Sequence, residues 1–165
     1  MPPPFFRVTP QELTLTLPIP PSINQQYATV NGRRILSSKS RQYKTLVAQQ
    51  ILSTLSTSPH RTSLQHNVNT HALILSVRFY FKTALRRDLD GGLKISQDAI
   101  CHALEINDNR ITEIHLYKSV DAESPRMECT LSIDLPMPPA RTKPQTPHAG
   151  KQRALTPHIR APRKG

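Results

Sequence analysis

Residues 73–81 read Leu-Ile-Leu-Ser-Val-Arg-Phe-Tyr-Phe, with a large apolar side chain at every odd-numbered position. Because side chains alternate between the two faces of a strand, this pattern predicts a β-strand with one face in the core. Residues 13–17, Leu-Thr-Leu-Thr-Leu, alternate in the same way, and Pro18 ends that strand because proline cannot donate to a strand ladder. Residues 111–118 and 127–135 are two further candidate strands. The sequence therefore predicts a β-sheet built from four strands.

Two stretches carry apolar side chains at helical spacing. The first predicted helix covers residues 41–55, and its apolar positions are Tyr43, Leu46, Val47, Ile51 and Leu55. Three serines lie just before it and are candidate N-caps, namely Ser37, Ser38 and Ser40. The second predicted helix covers residues 93–104.

The connections between these elements carry turn signals of different strength. Asn31-Gly32 is a favoured pair for a tight hairpin turn, so residues 26–36 are predicted to form a small ribbon. Residues 56–70 are polar, and we expect a loop there. The short polar link after residue 118 predicts that the last two strands form an antiparallel hairpin.

The order of elements predicts an α+β fold, a mixed β-sheet with two main helices in a single domain. Residues 1–12 are expected to be an N-terminal extension, and residues 13–135 the folded domain. Residues 136–165 are rich in proline and basic side chains and have few large apolar ones. Such a segment cannot bury enough surface to offset the entropy of ordering, so we expect a disordered tail.

The charge distribution points to a polyanionic partner. The chain has 22 Lys+Arg against 11 Asp+Glu, a net charge of +11. No acidic residue occurs from Leu13 through Arg87, and none follows Asp134. An excess of this size favours nucleic acid as the partner. The candidate contacts to DNA phosphates are Arg41, Lys44, Arg86 and Arg87. The tail at residues 136–165 either binds DNA phosphates weakly or has no role in binding.

Several classes of protein are disfavoured. No apolar run approaches the ~20 residues of a membrane-spanning helix, and the first residues do not form a secretory signal. Cys101 and Cys129 are too few for a disulfide framework, so we expect buried thiols and a reducing cytosol. The seven histidines are scattered, and no zinc site is expected.

The chemistry-bearing segment begins at Asp88-Leu89-Asp90. If the two aspartates leave a strand, both carboxylates point to the same side, and a divalent cation relieves their repulsion. The alternative is a helix cap with acidic residues in the first turn. Lys94 and Asp98 follow at one-turn intervals, and they form either a salt-bridge ladder or a cationic group beside a scissile phosphate.

Four separated motifs together resemble the RusA-type Holliday-junction resolvase family. Residues 87–94 read Arg-Asp-Leu-Asp-Gly-Gly-Leu-Lys, then come Asp-Ala-Ile at 98–100 and Asn-Asp-Asn-Arg-Ile at 107–111. Residues 15–24, Leu-Thr-Leu-Pro-Ile-Pro-Pro-Ser-Ile-Asn, resemble the family's opening strand and turn. The similarity covers roughly residues 13–135 in the family's order. The chain departs from the family pattern at Gly91, where an asparagine is usual, and at Asn107, where an acidic residue is usual.

The resemblance implies a Mg²⁺-dependent endodeoxyribonuclease, with Mn²⁺ as a substitute, that resolves four-way DNA junctions in recombination and repair. It implies that Asp88, Asp90 and Asp108 are catalytic metal ligands and that Lys94 is the catalytic lysine. Asp98 and Asn107 would lie beside these ligands. It further implies a homodimer that binds four-way or branched DNA, located in the cytoplasm and encoded by a bacterium or a phage.

The place of Asp108 is open at this point. A helix over residues 93–104 is about 17 Å long and separates Asp108 from Asp88 and Asp90. Either the chain folds back, or Asp108 reaches the metal of a partner subunit. Two other functions also stay open, a nuclease that prefers flaps or forks and a basic nucleic-acid-binding protein without catalysis.

Overall fold

A computed structural model describes residues 5–84 and 88–135. Within these residues the strands are β1 (Phe6–Val8), β2 (Glu12–Leu17), β3 (Tyr27–Val30), β4 (Arg33–Leu36), β5 (Leu73–Phe81), β6 (Ile111–Val120) and β7 (Arg126–Ile133). The α-helices are α1 (Ser38–Thr57), α2 (Arg61–Thr70) and α3 (Leu93–Leu104). None of these helices is both long and apolar enough to cross a membrane. The predictions for the basic tail lie outside the described residues.

The main sheet has five strands in the order β1-β2-β7-β5-β6. β5 and β6 run parallel, whereas every other neighbouring pair in this sheet is antiparallel. The parallel pair is connected through α3, because parallel neighbours need a long crossover. The predicted α+β class with a mixed sheet is therefore confirmed. β3 and β4 form a separate two-stranded ribbon, as the Asn31-Gly32 pair predicts.

One face of the central strands forms the core. The buried side chains of β2, β5 and β7 alternate along each strand and share one apolar cluster with buried side chains of all three helices. Cys101 and Cys129 are both buried in this cluster as free thiols, as predicted. Inside it, the Tyr43 hydroxyl lies 3.1 Å from the Ser96 hydroxyl and joins α1 to α3. Burial raises the pKa of Tyr43 well above its usual value.

The helices differ from the prediction in number. α1 starts earlier than expected, because the Ser37 hydroxyl accepts a hydrogen bond from the Ser40 amide and caps the first turn. The expected loop at residues 56–70 is wrong, because α2 occupies Arg61–Thr70. Leu64 and Val68 are the buried residues of α2, and all its other side chains are polar. Two anchors at i and i+4 are enough to hold a short helix on the core, but they give little periodic signal.

The predicted hairpin of the last two strands is also wrong. β6 and β7 lie on opposite sides of β5, so they are not neighbours in the sheet. A five-residue link can cross one intervening strand, because the two gaps together span only about 10 Å. Arg126 stabilises this link by donating to the carboxylates of Asp121 and Glu128, at 2.6 and 2.7 Å.

The segment before α3 is a turn and not the end of a strand. β5 ends at Phe81, and residues 89–92 form turns in which the Gly91 amide donates to the Asp88 carbonyl. The expectation that strand geometry aligns Asp88 and Asp90 is therefore wrong. Gly92 packs directly against Pro20, and a Cβ atom at position 92 would overlap the Pro20 ring.

This close approach makes Gly92→Ala destabilising, although its backbone angles (φ −112°, ψ −2°) suit any residue. We expect a loss of about 1–3 kcal/mol in the free energy of unfolding, the usual cost of overpacking. Urea denaturation of both proteins measures it. Gly91→Ala is the matched control, because a Cβ at position 91 would meet the Asp88 carbonyl oxygen at an ordinary 3.5 Å. Equal stability of the two variants would contradict the steric argument.

Candidate active site

Two distant segments meet in front of the N-terminus of α3. The first runs from Pro20 to Gln26 and contains a 3₁₀ turn at Ile23–Gln25. The second is the Asp88–Gly92 turn. Gln26 is 4 % exposed, and its side-chain amide donates to the carbonyls of Pro21 and Gly91, both at 3.1 Å. A buried amide with both donors used fixes the two segments relative to each other.

An open groove of about 680 Å³ lies along this junction, and Asp88 is part of its wall. The groove is also lined by the Pro20–Gln25 segment, by Phe79 and Phe81 of β5, and by Lys39 in the first turn of α1. The sequence analysis did not assign Lys39 or Gln26 to the site. The signal for Gln26 was its position two residues after the Pro-Pro-Ser-Ile-Asn stretch at residues 20–24. Lys39 had no local signal, since the fold alone brings α1 to Asp88.

Lys94 is the centre of a second group. Its ammonium lies 2.8 Å from Asp98 Oδ1 and 3.0 Å from Asp108 Oδ2. The contact with Asp98 is the i,i+4 pair expected on one helix face. The contact with Asp108 links the first turn of α3 to the 3₁₀ turn at Asp108–Arg110. Hydrogen bonds from Lys94 to Asp98 and then Asp108 raise the pKa of Lys94 further above its usual value, which already leaves the ammonium charged at neutral pH.

The chain folds back after α3. Glu105, directly after the helix, has a left-handed backbone conformation (φ 54°, ψ 41°). Asn107 then caps the 3₁₀ turn, because its side-chain oxygen accepts a hydrogen bond from the Asn109 amide at 3.0 Å. The length of α3 therefore does not separate Asp108 from Lys94 at the start of the helix. Whether Asp108 binds the same metal ion as Asp88 and Asp90 of its own subunit stays a prediction. Asn107 lies beside Asp108 as a turn-capping residue.

The predicted phosphate-binding residues are only partly described. Arg41 and Lys44 lie on α1, and the Arg41 guanidinium donates to the Leu36 carbonyl at the end of the ribbon. Arg41 is exposed and Lys44 is half-buried. Arg86 and Arg87 lie outside the described residues.

The donor set fits a hard divalent cation in its chemistry. Carboxylate oxygens are the ligands that Mg²⁺ prefers, and the ammonium of Lys94 already lies as a cation between two of them. Asp88 and Asp90 are exposed on the turn before α3. Within residues 5–84 and 88–135, however, no three Asp, Glu, His or Cys side chains converge as a metal-binding group. The fold brings Lys94, Asp98 and Asp108 together, whereas it leaves Asp88 on the groove.

The Cys101 thiol is close to this group but is not reactive. Burial, with smaller contributions from the charges of Asp108 and Asp98, raises its pKa to about 11. A thiol with so high a pKa is protonated at neutral pH and is a poor nucleophile.

The chain combines an α+β fold, a mixed β-sheet and two aspartates around one lysine with a net charge of +11, and such a charge favours a nucleic-acid partner. Comparison with protein families identifies the class further. The family model described as endodeoxyribonuclease RusA matches residues 18–132. The chain therefore belongs to the RusA endodeoxyribonuclease family. A comparison with curated proteins gave no match.

The Gln26 contacts generate a prediction for stability. Gln26→Met keeps the length of the side chain but removes both donors, which leaves the carbonyls of Pro21 and Gly91 without these partners. We expect the free energy of unfolding to fall by about 1–3 kcal/mol, the cost of unsatisfied buried polar groups. Urea denaturation measures it, with Gln25→Met at an exposed neighbouring position as the control. A Gln26→Met protein as stable as the control would show that these hydrogen bonds do not hold the two segments together.

Proposed function

We propose that this protein is a Mg²⁺-dependent endodeoxyribonuclease that resolves Holliday junctions by paired symmetric nicks in DNA recombination and repair. Family membership supports DNA cleavage. The observation that carries the proposal for this chain is the contact of Lys94 with Asp98 and Asp108, beside the turn that bears Asp88 and Asp90. A protein that only binds DNA gains nothing from several carboxylates beside its phosphates, because they repel the ligand.

The carboxylates have the first role in this proposal. Asp88, Asp90 and Asp108 would hold the metal ion, and Mn²⁺ can replace Mg²⁺ because both accept oxygen ligands. When bound, the ion supplies a positive charge that stabilises the phosphate during cleavage and makes water a better nucleophile. Asp98 does not need to bind the ion, because it keeps Lys94 in place from the same helix face.

Lys94 has the second role. Its ammonium stays charged at neutral pH, and its side chain is 62 % exposed, so a DNA phosphate can reach it. With Asp108 engaged in holding the ion, Lys94 would keep Asp98 as its partner and would be free to donate to the scissile phosphate. There it would stabilise the charge that develops on the phosphate oxygens or on the departing oxygen. The groove beside Asp88, with Lys39 in its wall, would carry the DNA strand that runs into the site.

The proposal includes a homodimer. A four-way junction has an approximate two-fold axis, and resolution needs one nick in each of two opposed strands. A two-fold dimer with one site per subunit matches this geometry, in the way that dimeric repressors match palindromic operators. We place the protein in the cytoplasm of a bacterium, encoded there or by a phage. Recognition would depend on junction shape and phosphate charge more than on base edges.

Cleavage of a synthetic four-way junction tests the function. With Mg²⁺ we expect paired nicks, and with EDTA none. Asp88→Asn, Asp90→Asn and Asp108→Asn should abolish cleavage and keep DNA binding, because each removes a negative charge from a metal ligand. Lys94→Met should slow cleavage by roughly 10²–10³-fold, the usual loss for one electrostatic stabiliser.

Glu123→Gln is the control, because it neutralises an exposed acidic residue on the link between β6 and β7. Wild-type protein that binds the junction in Mg²⁺ without cutting it would favour the non-catalytic alternative, and cleavage that survives in Asp90→Asn would contradict the proposed role of Asp90. Flap and fork substrates of matched sequence distinguish junction resolution from a nuclease that prefers flaps or forks. Faster cutting of these than of the four-way junction would replace resolution by a flap- or fork-preferring activity.

Mixed dimers locate Asp108. We infer that Asp108 acts within its own subunit, since it contacts Lys94 of the same chain. A mixture of Asp90→Asn and Asp108→Asn subunits should then be inactive, because every site lacks one carboxylate. If the site were shared across the dimer, each mixed dimer would contain one intact site. Single-strand nicking by the mixture, measured on a nicked-product gel, would therefore contradict the inference. The control is a mixture of wild-type and Asp90→Asn subunits. Nicks in only one of the two strands would show there that mixed dimers form, because such a dimer has one intact site.

A further inference from the structure

The β3–β4 ribbon is a surface to which the proposed site assigns no role. It is a two-stranded antiparallel hairpin that pairs with no strand of the main sheet within the described residues. Asn31 and Gly32 form its turn with positive φ angles of 50° and 73°, the conformation of a tight hairpin turn. Its residues are exposed except for Leu36, which is half-buried. A two-stranded hairpin alone is marginally stable in water, so further contacts would stabilise this one.

The register divides the hairpin into two faces. Ala28 is opposite Ile35, and Val30 is opposite Arg33, so these four side chains share one face. We name this surface the Val30 face. Val30 is 48 % exposed and Ile35 is 42 % exposed, so the face presents an apolar patch with an arginine at its tip. On the other face the Arg34 guanidinium lies over the Tyr27 ring, 4.2 Å from its centroid.

The positive charge of this hairpin favours a negatively charged partner. Its two arginines lie in a stretch without any acidic residue, from Leu13 through Arg87. If two copies of the hairpin packed on each other through the Val30 face, their two Arg33 side chains would meet without a carboxylate from either hairpin. DNA provides the missing negative charge, and at a branch point it also exposes base faces. Apolar side chains that enter the stack between bases are an established way in which proteins distort DNA.

The hairpin is attached to the site through Gln26. The Ser37 amide donates to the Gln26 carbonyl at 2.9 Å and closes the base of the hairpin. The side chain of the same Gln26 donates to the Gly91 carbonyl in the turn that carries Asp88 and Asp90. One buried residue therefore sets the position of the hairpin base relative to the site. A DNA contact on the hairpin is consequently coupled to the placement of the strand at the carboxylates.

We propose that the Val30 face packs against unstacked bases at the branch point of DNA while Arg33 and Arg34 bind the flanking phosphates. This inference rests on the proposed function and adds a DNA-distorting surface outside the carboxylate site. The hairpin would open the junction, and the Gln26 contacts would present the opened strand to Asp88 and Asp90.

Two double variants separate the two parts of the proposal. Val30→Thr/Ile35→Thr keeps the β-branched shape of both side chains but makes them polar. Arg33→Gln/Arg34→Gln removes the charges and keeps the apolar patch. Val120→Thr is the matched control, because Val120 is 56 % exposed at the end of β6. The probe is a four-way junction with 2-aminopurine, an adenine analogue that brightens when it unstacks, at the branch point. All measurements are made in EDTA, where the strand is not cut.

We expect wild-type protein and Val120→Thr to raise the fluorescence equally and Val30→Thr/Ile35→Thr to raise it by less than half as much. Arg33→Gln/Arg34→Gln should lower the slope of log affinity against log salt by about two, since each phosphate contact contributes about 0.9. The proposal would be overturned if Val30→Thr/Ile35→Thr raised the 2-aminopurine fluorescence as much as wild-type protein and Arg33→Gln/Arg34→Gln showed the same salt dependence of affinity as wild-type protein. A change of oligomeric state in light scattering, without either DNA effect, would show that a second copy covers the hairpin and would overturn it too.

A different observation would show that the proposed function is wrong while leaving the hairpin proposal open to its own test. Wild-type protein that binds and cuts linear duplex as well as junctions would refute junction resolution. The salt slope of the arginine variant on duplex would then still decide whether the hairpin contacts DNA.

Discussion

The side-chain amide of Gln26 is the contact on which the arrangement of the site depends. It joins two segments that are 65 residues apart in sequence, since it donates to the Gly91 carbonyl as well as to that of Pro21. The absence of a side chain at Gly92 lets Pro20 pack directly against the same turn. Together these contacts hold the aspartate-bearing turn at the start of α3 next to the base of the exposed hairpin.

Lys94 organises the acidic side of the site by electrostatics. In a chain with a net charge of +11, the acidic residues are concentrated between Asp88 and Asp134. Asp98 and Asp108 both contact the Lys94 ammonium, so their mutual repulsion is offset without burial. An exposed ion pair of this kind contributes little to stability, typically below ~1 kcal/mol, so stability alone does not account for the cluster. Because these ion pairs contribute so little free energy, a phosphate can replace the aspartates at Lys94 and a cation can replace Lys94 at the aspartates, which fits the proposed cleavage of DNA.

The basic surface and the acidic cluster have complementary roles in the proposed function. Arg41, Lys44 and Lys39 lie on α1, and the arginines of the hairpin extend the same acid-free part of the chain. In this proposal these groups would attract the DNA backbone over a long range, whereas the carboxylates would act only where they hold a cation. Binding and cleavage would therefore depend on different residues of the same chain. The family assignment supports cleavage, and the junction as substrate remains our proposal.

The sequence by itself determined the class of fold, most strands, helices α1 and α3, the hairpin turn at Asn31-Gly32 and the family, because alternation, helical spacing and ordered motifs are local signals. It did not reveal α2, whose two buried residues, Leu64 and Val68, leave almost no periodic pattern. It also placed β6 beside β7, because a short link constrains only the direction of two strands and not which strand lies between them. Tertiary structure alone decided that Lys39 reaches the groove beside Asp88 and that the reversal at Glu105 returns Asp108 to Lys94. These contacts join residues far apart in sequence, and packing of the whole chain is what sets such distances.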